Sequence, residues 1–147
     1  MSEENKTIAR RWMEELWSQG NSDVAGEIIA ANYAVHDPGT PGRVGGVEGE
    51  KHTVTMYRTV FPDLRFTMED VVGEGDRVVV RWTNRGTHRG ELMGVPPTGK
   101  QVVVTGISIL RIANGKIAEH KLNWDTLGML QQLGIVPPTG EDRALSR

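Results

Sequence analysis

The hydrophobic residues change period part-way along the chain, and this switch limits the possible folds more than any other feature. Ile8, Ala9, Trp12, Met13, Leu16 and Trp17 recur at three- and four-residue spacing, the pattern of one helix face. Val24, Ile28 and Ile29 form a shorter helical set after Asn21-Ser22, and Val47 to Phe61 reads as a third helix stopped by Pro62-Asp63. From Leu64 onward the period is two. Strands are expected at Leu64–Val72, Arg77–Arg89, Gln101–Ile112 and Lys116–Asp125, with Asn114-Gly115 as a hairpin turn between the last two. Thr126–Leu133 closes the pattern as a short helix ended by Gly134. Helices first and strands afterwards point to an α+β domain rather than a doubly wound sheet. One domain over residues 1–134 is expected, with a flexible tail over 135–147.

Composition narrows the function classes. The 147 residues carry 17 Lys+Arg against 19 Asp+Glu, a net charge of -2, so no basic surface argues for nucleic acid. No cysteine is present, which removes disulfides, thiolate metal sites and cysteine nucleophiles. No apolar run approaches the roughly 20 residues that span a bilayer, and Met1–Arg11 does not read as a secretory leader. A cytoplasmic location is the expectation, with no membrane partner. The four histidines, 36, 52, 88 and 120, have no His-Glu-x-x-His spacing, so no metal site is assigned. None of the serines sits in a Gly-x-Ser-x-Gly elbow.

Alternation along the strands selects which residues face the helices. Ala118, His120, Leu122 and Trp124 form the more apolar side of the last strand, and Val78, Val80, Trp82 and Asn84 that of the long strand. The strand 101–112 is apolar on both sides. Val102, Val104, Gly106, Ser108 and Leu110 would face the helices, leaving Val103, Thr105, Ile107 and Ile109 for a partner subunit. A homodimer formed through the sheet would cover them.

Gly86-Thr87-His88-Arg89-Gly90, Met93-Gly94-Val95-Pro96-Pro97-Thr98, Leu110-Arg111-Ile112, Asn114-Gly115-Lys116-Ile117 and Gln132-Leu133-Gly134 together resemble the SnoaL-like polyketide (ester) cyclases. The likeness covers residues 5–134. It implies the nuclear-transport-factor-like fold, a cone in which N-terminal helices pack over a curved antiparallel sheet. It also implies aldol ring closure of a polyketide methyl ester with no metal or organic cofactor. Counting from the shared anchors, the resemblance puts the family's acid/base aspartate at Leu122 and its assisting histidine at Ser108.

On the residues themselves, His120 is the candidate general base, with Asp125 either orienting it or capping the last helix. Ser108 is a candidate donor to a ligand oxygen. His36 is expected near the pocket mouth and His88 at the open strand end. Tyr57, Trp82 and Trp124, with Leu122, would wall an apolar pocket. His52 is expected on an exposed helix face. Three functional classes follow. The first is a cofactor-independent enzyme that moves a proton on an apolar ketone or ester. The second is a noncatalytic module binding an apolar small molecule. The third is a structural domain with a filled interior.

Overall fold

The computed structural model describes residues 2–137. Helix α1 (Ser2–Arg11) runs directly into a π-helical segment, Trp12–Ser18, and a 3-10 turn at Ser22–Val24 leads into the short α2 (Ala25–Ile28). Strand β1 (Ile29–His36), helix α3 (Gly46–Val60), strands β2 (Arg65–Glu74), β3 (Arg77–Thr87), β4 (Gln101–Ala113) and β5 (Lys116–Trp124), and helix α4 (Thr126–Gln132) follow. None of the described helices is long and apolar enough to cross a membrane.

The five strands lie in the order β1-β5-β4-β3-β2. From β2 to β5 the sheet is the expected antiparallel meander. Asn114 and Gly115 both have positive φ (52° and 74°), as a primed two-residue hairpin requires. The expectation of four antiparallel strands needs correction at one edge. Residues 29–36 form a fifth strand that pairs parallel to β5, with Val35 opposite His120. Its Ala-Ala-Asn centre is poor in β-formers, and an irregularity between Ile29 and Ala34 breaks the alternation by which strands are recognised. The partner strand, not local propensity, makes this segment extended.

The α+β segregation otherwise holds, and the helices cover one sheet face. Val78, Val80, Val102, Val104, Leu110 and Ile117 are buried beneath Ala9, Met13, Leu16 and Ile28. On the opposite face Val103, Ile107 and Ile109 are exposed. Val72, Val79 and Ile109 stand in one row across β2, β3 and β4. Where β4 runs beyond β5, Gln132 of α4 satisfies the free edge. Its amide nitrogen donates to the Val103 carbonyl (2.8 Å) and its oxygen accepts from the Val103 N–H (2.7 Å). Residues 135–137 bond back to α4 through Leu130 and Gln131. The rest of the expected tail lies outside the described residues.

Candidate functional site

Between helices and sheet lies a hollow of about 60 Å³, room for a few water molecules. Trp12, Trp17, Tyr57, Phe66, Trp82 and Trp124 are among the aromatic residues of its wall. Gly106 of β4 makes room for two of these rings, since a side chain there would run into Trp82 and Trp124. The polar groups reaching the hollow are Asp37, Thr40, Arg43, Asn84, Ser108 and His120.

Asp37, Thr40, Arg43, Ser108 and His120 belong to one connected network, and its hub is Glu50 of α3. The carboxylate is fully buried. Oε1 accepts from Arg43 Nη2 (2.8 Å) and Tyr33 Oη (3.2 Å), and Oε2 accepts from the indole N–H of Trp12 (2.8 Å) and of Trp17 (3.2 Å). The π-helical segment makes the double indole contact possible. In a regular α-helix residues five apart are about 140° apart around the axis. The wider turn, with Gln19 N–H bonded to the Glu14 carbonyl, brings residues five apart onto one side. Arg43 also binds Asp37 Oδ2 at 3.0 Å and lies over the Trp17 ring. Asp37 Oδ1 in turn accepts from Trp124 Nε1 and from the Gly39 N–H, both at 2.9 Å. Burial would raise the Asp37 carboxyl, but hydrogen bonds from Thr40, Trp124 and Arg43 outweigh it and hold the carboxyl below its usual range.

From Glu50 the network continues through Tyr33 to His120. Tyr33 Oη lies 3.1 Å from His120 Nδ1, and His120 Nε2 lies 2.8 Å from Ser108 Oγ. Trp82 Nε1 donates to that same Oγ at 3.0 Å. The Trp12 ring packs edge-on against the imidazole at 4.8 Å. Burial, followed by the nearby Arg43 charge, pushes the His120 imidazole well below its ordinary range, so it is a neutral base at pH 7. Burial likewise pushes the Tyr33 phenol well above its ordinary value, with the Glu50 charge adding to it.

The structure brings together Tyr57, Trp82, Ser108, His120, Leu122 and Trp124 around the hollow. Three other candidates fall elsewhere. Asp125 is exposed and caps α4, accepting from the Gly128 N–H at 2.9 Å. It does not orient His120, whose ring partners are Tyr33 and Ser108. His36 is exposed and faces Glu119 (3.3 Å), because its position on β1 points away from the helices. His88 is fully buried, which corrects its placement at the open strand end. Its Nδ1 accepts from the Thr98 N–H (3.2 Å) and meets Thr98 Oγ1 (2.9 Å), so it fastens the 88–99 connection. His52 is exposed, as expected.

Glu50, Arg43 and Tyr33 were missed. One signal was available: Glu50 falls between Val47 and Val54 on the stripe 47-50-54-57 of α3, and a carboxylate on an apolar stripe needs a buried partner. Arg43 and Tyr33 carried no such mark.

A curved sheet roofed by helices, with an aromatic hollow and a buried imidazole between them, defines an α+β domain of the ketosteroid-isomerase-like, nuclear-transport-factor-like kind. A protein with that fold from Catenulispora acidiphila superposes with a TM-score of 0.73 at 18% identity, over 86% of this chain and 92% of that one. The chain belongs to the SnoaL-like polyketide cyclase family, whose model matches residues 7–133. The aklanonic acid methyl ester cyclase DnrD of Streptomyces peucetius is 32% identical over 139 residues, 89% of this chain and 92% of the relative. A crystal structure assigned as a polyketide cyclase, from Acidithiobacillus ferrooxidans, is 36% identical with a TM-score of 0.82, over 90% of this chain and 95% of that one.

Proposed function

We propose that this chain is a cyclase-type enzyme that moves a proton on the carbon beside a carbonyl of an apolar ketone or ester, without metal or organic cofactor. His120 is the base. Ser108, which lines the hollow beside it, is the relay: as the hydroxyl receives the substrate's proton, it passes its own to Nε2. The enolate oxygen left behind would be met by the polar side of the hollow, where the Arg43 guanidinium is fixed by its carboxylate partners. The observation that carries this reading is a fully buried imidazole bonded through Nε2 to a hydroxyl of the hollow's wall. Substrates of drug size need about 300–1,000 Å³, so binding has to part side chains around the present space. The exposed outer row of the sheet supports pairing of two copies through that face.

A second reading, a noncatalytic binding module, is favoured by Leu122. It occupies the position where the resemblance puts the family's aspartate, on the hollow's wall, and it carries no proton. The two readings separate with aklanonic acid methyl ester, the compound named for the Streptomyces relative, and with simpler β-keto methyl esters. Ring closure, or deuterium uptake at the carbon between the carbonyls, is followed in wild type and in His120→Gln, with circular dichroism confirming the fold. A loss of about 10²–10⁴-fold in the variant supports the enzyme. Binding without turnover or exchange supports the module, and unchanged turnover in a folded His120→Gln removes His120 from the mechanism.

A further inference from the structure

The hydrogen bonds from Glu50 to His120 can run in one direction only, because the carboxylate end of the chain is fixed by chemistry and the Ser108 hydroxyl at the other end can follow. An indole N–H can donate and never accept, so Trp82 Nε1 must give its hydrogen to Ser108 Oγ. The Ser108 hydrogen is then free to go to His120 Nε2 at 2.8 Å. At the other end, the Glu50 carboxylate carries no hydrogen to give and already accepts from Arg43 on Oε1 and from Trp12 and Trp17 on Oε2, so toward Tyr33 it acts only as acceptor. Tyr33 must therefore donate its hydrogen to Glu50 Oε1. Its oxygen is left to accept from His120, and the hydrogen in that 3.1 Å contact has to sit on Nδ1.

We infer that Glu50 and Tyr33 are positioning residues that hold His120 as the Nδ1–H tautomer, leaving Nε2 as the basic nitrogen toward Ser108 and the hollow. This rests on the reading of His120 as the base and gives that base its orientation. When Nε2 takes up a proton, the Nδ1–H bond to Tyr33 remains in place, and Glu50 supplies negative charge one residue away from the new imidazolium. Nothing needs to rotate. The role of a third group that orients the base is divided here between a phenol and a carboxylate. The parallel pairing of β1 with β5, which sets Val35 opposite His120, is what brings Tyr33 within reach.

The test needs no substrate. Long-range ¹H–¹⁵N correlation spectra of uniformly labelled protein at pH 7.5 report which ring nitrogen of His120 carries the hydrogen. Wild type is expected to show protonated Nδ1 and bare Nε2. Tyr33→Phe removes the acceptor for Nδ1–H while Ser108 Oγ can still accept from Nε2–H, so the hydrogen is expected to move to Nε2. Ser108→Ala leaves the Tyr33 side intact and is expected to keep the Nδ1–H form. An Nε2–H tautomer in wild type, an unchanged tautomer in Tyr33→Phe, or a switch in Ser108→Ala would each overturn the inference. If Tyr33→Phe does not fold, the wild-type and Ser108→Ala spectra still decide. The tautomer and the turnover assay fail separately. An Nδ1–H His120 in a protein that neither cyclises nor exchanges would sink the proposed function and leave the relay standing.

Discussion

Glu50→Gln tests the buried network through stability, and the structure sets the size of the effect. The carboxylate has four donors, two on each oxygen. A glutamine of the same shape offers one oxygen and one NH2. Whichever way the amide turns, its NH2 faces a pair of donors, either two indoles or Arg43 with Tyr33. Two buried donors left unpaired cost about 1–3 kcal/mol each. Arg43, whose side chain is 4% exposed, also keeps only Asp37 as an ionic partner, and breaking a buried pair from one side typically costs about 3–5 kcal/mol. The two estimates describe the same loss and are not summed. At about 2–4 °C per kcal/mol for a chain of this size, the melting temperature should fall by about 6–20 °C. Urea titration and thermal melts of wild type and Glu50→Gln read this directly. A folded variant within about 1 kcal/mol of wild type would show that water or rearrangement satisfies these donors, and the network would lose its structural role.

The pH dependence of stability follows from His120, whose imidazole is held well below its ordinary range by burial first and the Arg43 charge second, with His36 adding and Asp37 opposing. The unfolded chain takes up this proton near pH 6.5 while the folded chain does not. The contribution is therefore complete above about pH 6.5 and is lost as pH falls from there toward the folded value, at up to about 1.4 kcal/mol per pH unit. Urea midpoints between pH 8 and 5 should show this slope in wild type and a shallower one in His120→Gln; equal slopes would contradict a neutral buried imidazole. For the outer sheet face, Ile107→Lys places a charge in the middle of the exposed apolar surface of β4. Sedimentation should report a dimer for wild type and a monomer for the variant, and a monomeric wild type would end the pairing proposal.

The strands from Arg65 to Trp124 and the faces they present were readable, because alternation and an Asn-Gly turn are local signals. His120, Ser108, Trp82 and Leu122 face inward as the pattern demanded. Asp125 was readable as a cap for the same reason: a helix start needs an acceptor within three residues of sequence. The errors share one cause. Strand β1 exists because β5 lies beside it, His36 points outward because β1 has that register, and His88 is buried because the Pro96-Pro97-Thr98 connection folds back over it. These are decisions made between segments far apart in the chain.

Amino-acid order alone settled the class of fold, the meander, and the inward face that carries the imidazole, since each follows from periodicities spanning a few residues. Only the assembled structure decided what that imidazole touches. Trp12, Trp17, Tyr33, Arg43 and Glu50, which lead to it, come from helices, a strand and a loop separated by up to 38 positions. They meet because a buried carboxylate must find donors wherever the packed chain supplies them. Hydrogen bonds of this kind are satisfied in space rather than along the sequence, and no local pattern records them.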